Sequence, residues 1–142
     1  YIPILLMVFG FIFRAVAFEF REQARRKWFW NIAFGIGSFT AALGQGFALG
    51  AVLRGIDVDL SGHFVGTQWD WLSWQSIVVA LTLIQSYVLI GSTYLVWKTT
   101  GDLQLTHYRT AKIAAWTTLV GAILITLGTP IFYQSARSRL FQ

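Results

Sequence analysis

The residues of this sequence with the clearest potential for chemistry are Arg14 and Glu19. Both stand in the stretch FIFRAVAFEFREQARRK, residues 11–27. The thirteen residues before Arg14 are all uncharged. A charged side chain inside a membrane costs at least ~2.5 kcal/mol at the centre of a helix, so it pairs with another group or reaches the membrane surface. Arg14 can do either, because arginine can snorkel. Glu19 is shorter, and we expect its partner on another helix.

Other groups that could hold a cofactor are few. A haem bundle needs axial ligands, usually His or Met, that face each other. His63 and His107 both fall in predicted loops, Met7 is the single methionine, and the sequence has no cysteine. Neither histidine has a second ligand at metal spacing. The sequence therefore predicts no metal site and no haem bound by this chain alone.

The composition identifies the elements that must carry these residues as membrane helices. Hydrophobic residues make up 56% of the chain, charged residues 12%, and the mean hydropathy is +0.59. Segments 28–53, 71–97 and 113–136 contain no Asp, Glu, Lys or Arg, and each exceeds the ~20 residues that span a bilayer. A fourth span covers about 1–20. We predict an all-α, polytopic transmembrane helix bundle with four spanning helices in one domain.

The links between the spans indicate the topology, because Lys and Arg concentrate on the cytoplasmic side. Links 21–27 and 98–112 are rich in basic residues, so we expect both in the cytoplasm. Link 54–70 carries three aspartates against one arginine, together with a tryptophan cluster, which favours the periplasm. Arg137 and Arg139 then fall outside, against the rule, but two charges do not outweigh the links.

The excess of basic residues in the chain does not indicate a nucleic-acid-binding protein. The net charge is +5 and the pI about 10.0, but the basic residues sit at helix ends, where membrane topology places them. The chain also begins without Met and ends in a short polar segment, SARSRLFQ. We therefore expect a fragment of a larger polytopic membrane protein with no nucleic-acid partner.

Small residues predict where the second span packs. Ala42, Gly46 and Gly50 recur every four residues, a spacing that lets membrane helices approach closely. Gln45 lies beside this stripe and can donate or accept a hydrogen bond to a neighbouring helix. We expect the stripe to serve helix packing, with a substrate path as the less favoured alternative.

The ordered motifs resemble subunit II of the cytochrome bd-type quinol oxidases, including the cyanide-insensitive members. The likeness rests on FRAVAFEFR at 13–21, on GSF and the Gly-rich exit of the second span, and on GSTYLVWKTTGDLQ at 91–104. Two positions depart from the family pattern. Asn31 lies near the place where many members have Asp, and Asp102 stands where Glu is usual.

The resemblance implies a terminal oxidase of the prokaryotic cytoplasmic (inner) membrane, which oxidises quinol and reduces dioxygen to water. It implies that haem b and haem d belong to subunit I, and that this haem-free chain packs against subunit I among membrane lipids and quinol. No catalytic residue is expected here. The alternatives are a structural membrane bundle and a permease fragment without a redox role.

The same resemblance makes four polar residues candidates for the subunit interface or the proton route: Arg14, Glu19, Arg21 and Gln45. Arg14 has two interpretations, a buried cation that pairs with an acid or a haem propionate across the interface, or an anchor at the cytoplasmic face. The paired interpretation is the one we favour.

Overall fold

The computed structural model describes residues 1–55, 65–67 and 69–132 of the chain. Within these ranges it contains four α-helices and no strand. All four are long and apolar enough to cross a membrane, which confirms the predicted fold class. Helices suit this composition because lipid offers backbone groups no hydrogen-bond partners. The helices are α1 Ile2–Gln23, α2 Lys27–Arg54, α3 Trp74–Lys98 and α4 Asp102–Phe132.

Two helices begin at positions that differ from the predicted spans. α3 begins at Trp74 because the Ser73 side chain caps it, accepting a hydrogen bond from the Ser76 amide at 3.2 Å. α4 begins at Asp102, directly after Gly101, whose φ of +73° ends the preceding turn. Much of the predicted link 98–112 is therefore helical. A carboxylate in the first turn is favourable beside the positive end of a helix.

α4 is longer than a membrane span requires. Its 31 residues extend about 46 Å at ~1.5 Å per residue, against a hydrocarbon core of about 30 Å. The polar first turns, up to the predicted span start near 113, can therefore lie outside the hydrocarbon. Which residues enter the membrane, and from which side, stays a prediction.

The helices form an open row in which α1 packs on α2, α2 on α3, and α3 on α4. α2 uses two opposite sides for this. Gly37 lies against α1 and Gly46 against α3, and nine residues correspond to about 180° around a helix. The buried residues are small, as at Ala17, Ala33 and Ala80. Close backbone approach therefore holds the row together, while most large apolar side chains face outward.

Candidate functional site

Three residues on one side of α2, between its contacts with α1 and α3, receive side chains from the neighbouring helices. Gly37 marks the centre of the contact with α1. Measured from Gly37 around the axis of α2, the angles are about 60–120° for Asn31, Phe34 and Gln45. Each of these three side chains contacts a residue from a neighbouring helix. We call the six residues of these pairs the polar side of the row: Arg14, Arg21, Asn31, Phe34, Gln45 and Tyr87.

Arg14 contacts an aromatic ring on α2. Its guanidinium carbon lies 5.1 Å from the centre of the Phe34 ring, within the range of a cation–π interaction. The backbone of Arg14 is held close to Gly37, where an added Cβ would stand 2.9 Å from the Arg14 nitrogen. The side chain as a whole is exposed. A ring face does not satisfy the five N–H donors of a guanidinium, so Arg14 retains capacity for an anionic partner.

Arg21 joins the adjoining ends of α1 and α2. Its Nε donates to Asn31 Oδ1 at 2.6 Å, and the Phe20 ring stacks on Trp30 beside it at 5.4 Å between centroids. Asn31 is the residue near which the sequence resemblance predicts an Asp. An amide oxygen accepts the same hydrogen bond without a charge, so the contact here is charge-assisted from the arginine side only.

Gln45 bonds α2 to α3. The Tyr87 hydroxyl donates to Gln45 Oε1 at 2.6 Å, and the Gln45 amide group keeps two further N–H donors. Gln45 is half-buried, and Tyr87 is 44% exposed. The contact therefore presents polar atoms on the surface of the row at a position well inside α2.

Glu19 does not join these contacts. It is exposed on α1, and the five positions between Arg14 and Glu19 place the two side chains about 140° apart around the helix. The structure therefore separates the two charges with which the sequence argument began. A partner for Glu19 on another helix remains a prediction.

The small residues of α2 lie at both helix contacts. A Cβ at Gly46 would collide with the Cα of Ala80, and one at Gly50 with the Cα of Ser76. Ala42 is half-buried, about one turn before Gly46. The stripe on the opposite side was missed, although its spacing is also visible in the sequence. In this second stripe, Ala33, Gly37, Ala41 and Gly44 of α2 face helix α1.

The possible haem ligands among the described residues lie far apart in the row. Met7 lies at the contact with Gly44, whereas His107 is on the first turns of α4, at the other end of the row. In the part of the chain that the structure describes, no three His, Cys, Asp or Glu residues form a group that could hold a metal ion. His63 lies outside the described residues.

Comparisons with known proteins agree with the motifs. The family model described as cytochrome bd terminal oxidase subunit II matches residues 1–141. Curated relatives include the cytochrome bd-I ubiquinol oxidase subunit 2 of Escherichia coli K12 and of Escherichia coli O157:H7, each 31% identical over 127 residues. Each match covers 84% of this chain. The chain spans about a third, 34%, of the length of these relatives.

Proposed function

Because the chain belongs to the cytochrome bd terminal oxidase subunit II family, we propose that it acts in a bd-type terminal quinol oxidase. In this proposal it is the haem-free subunit II, and subunit I carries haem b and haem d. The complex oxidises quinol and reduces dioxygen to water in the inner membrane of a prokaryote. This chain contributes no complete active site. The match over residues 1–141 is the observation that carries the proposal.

The polar side of the row supports the proposed partner. Arg14 lies nine residues before the end of α1, about 13 Å along the helix, and Gln45 lies equally far from the end of α2. Exposed polar groups at such positions are costly against lipid tails, whereas a neighbouring protein helix can satisfy them. We infer that subunit I covers the polar side.

In this proposal Arg14 pairs with an anionic group of subunit I. Its guanidinium, steadied by the Phe34 ring, faces a carboxylate of subunit I or a haem propionate across the interface. The pairing stabilises the negative charge of that carboxylate or propionate in an interface where the dielectric constant is low. Gln45 donates its remaining N–H groups across the same interface, with its orientation fixed by Tyr87.

Glu19 and Arg21 are the proposed proton-route residues. Glu19 is exposed near the end of α1, the end that the basic link 21–27 assigns to the cytoplasm. A carboxyl group there can accept a proton from water and release it toward the interior. Arg21, held by Asn31, places a positive charge at the same end of α1.

Replacing Glu19 with glutamine tests this role. We expect quinol-dependent oxygen consumption by the intact complex to fall about tenfold or more, because the amide cannot carry the proton. Haem content should stay unchanged. The matched control is Glu22→Gln, which removes an exposed carboxylate three positions further along α1. Equal turnover in the two variants would remove Glu19 from the route.

The alternative is a structural role, in which the chain only supports subunit I. The small-residue contacts of α2 favour it, since they need no redox partner. The two proposals differ in a measurable way. A structural role predicts that variants on the polar side change the amount of assembled complex and leave turnover per complex unaltered.

A further inference from the structure

The turn between α1 and α2 carries charges of the wrong sign for the helix that follows. α2 begins at Lys27 with Arg26 as its N-cap, no side-chain cap and no acidic residue in its first turn. A helix N-terminus carries about half a positive charge, so acids stabilise it and cations do not. Arg25, Arg26 and Lys27 are nevertheless all exposed at this point. The arrangement concentrates positive potential beside the end of a membrane helix.

The acids nearby do not neutralise this charge. Glu19 and Glu22 are both on α1, exposed, and outnumbered by the four cations of residues 19–27. Glu22 lies on the last turn of α1, and the chain leaves the helix at Ala24, so the helical spacing that would pair it with Arg25 or Arg26 is not kept. One carboxylate cannot compensate three cations and the positive end of α2, so the turn retains an attraction for a further anion.

Aromatic rings beside the turn indicate what kind of anion fits. Phe20 is 55% exposed, Trp28 74% and Phe29 57%. Exposed aromatic rings at helix ends are typical of the level where lipid headgroups meet the acyl chains. Phe20 and Phe29 both contact Trp30, with ring centroids 5.4 and 5.5 Å apart, so the apolar surface is continuous. A ligand here meets cations on one side and hydrocarbon-compatible rings on the other.

We propose that this turn binds the headgroup of an anionic phospholipid. Arg25, Arg26 and Lys27 contact its phosphate, and its acyl chains lie along Phe20, Trp28 and Phe29. Clusters of basic residues at the end of a membrane helix attract anionic lipids, and each cation strengthens binding by about fivefold. The site is independent of the redox role, because none of its residues belongs to the polar side of the row or to the proton route.

The test uses the intact complex in nanodiscs of phosphatidylcholine with a minor share of phosphatidylglycerol. Native mass spectrometry then counts the phosphatidylglycerol molecules retained by each variant. Replacing both arginines, R25Q with R26Q, should weaken retention about 25-fold, while phosphatidylcholine retention stays the same. The matched control is K98Q with K112Q, which removes two exposed cations, one at the end of α3 and one inside α4. The control should keep the lipid that the arginine variant loses.

Three results would overturn the proposal. Equal losses in the two double variants would mean that overall charge, and not this turn, attracts the lipid. Displacement of phosphatidylglycerol from the wild-type complex by millimolar inorganic phosphate would indicate a site for soluble anions. Retention of phosphatidylglycerol by the wild-type complex only in proportion to its share of the nanodisc lipid would mean that the turn has no anion preference. The last two measurements need no variant, so they hold even if R25Q with R26Q fails to assemble.

Discussion

Replacing Gly46 with leucine is expected to separate α2 from α3 and abolish assembly of the complex. Even the Cβ alone would collide with the Cα and Cβ of Ala80, which cannot move without displacing α3. Overpacking of a well-packed contact typically costs about 1–3 kcal/mol, and a backbone collision lies at or above the top of that range. We expect less than about a tenth of the wild-type amount of complex after detergent extraction, measured by size-exclusion chromatography.

The control for this variant is Gly35→Leu on the same helix. An added Cβ at Gly35 meets nothing within 4 Å, so the substitution changes size and helix propensity without a collision inside this chain. Normal yield of the Gly46 variant would contradict the close α2–α3 contact. Equal loss in both variants would mean that leucine at any glycine of α2 is harmful, whatever its contacts.

Replacing Arg14 with glutamine is expected to lower turnover about a hundredfold. Loss of one partner from a buried ion pair costs about 3–5 kcal/mol because the other charge is left uncompensated. A hundredfold fall corresponds to about 2.8 kcal/mol of this cost appearing in the activation barrier, at ~1.4 kcal/mol for each tenfold. The haem absorption bands should shift or weaken if the partner is a propionate. Quinol-dependent oxygen consumption and the absorption spectrum of the same preparation measure both effects.

Two variants separate the charge of Arg14 from its packing. Arg14→Lys keeps a cation beside Phe34 and should recover part of the turnover, since an ammonium also interacts with a ring. Arg109→Gln removes an exposed arginine on α4 and should leave turnover unchanged. Wild-type turnover and an unaltered spectrum in Arg14→Gln would show that Arg14 only anchors the helix end.

The spans could be predicted from the sequence because a helix that crosses lipid needs about 20 consecutive apolar residues. The uncharged runs 28–53 and 71–97 correspond closely to α2 and α3. α4 begins eleven residues before the predicted span because charged residues end an apolar run without ending a helix. From Asp102 to Lys112 there is no Gly or Pro, and Gly101 supplies the turn. Attention to helix-stopping residues as well as hydropathy would have located α4.

The partners of the polar residues were harder to predict. Spacing alone placed Gly46 and Gly50 on one side of α2, but the contact of Gln45 with Tyr87 depends on how far α3 is shifted along α2. The same holds for Arg14 over Phe34 and for Arg21 with Asn31, which depend on the offset between α1 and α2. One sequence does not encode these offsets in any local pattern, whereas the small residues that permit close approach are visible in it.

The absorption spectrum of the purified complex that contains this chain is the sharpest test of its assignment to a bd-type oxidase. We expect a band of haem d in the red, together with the bands of haem b, in a preparation that consumes oxygen when quinol is supplied. The bands should co-purify with this chain and be lost when Gly46→Leu prevents assembly. A preparation that contains this chain and its natural partner but no haem would contradict the assignment to a bd-type oxidase.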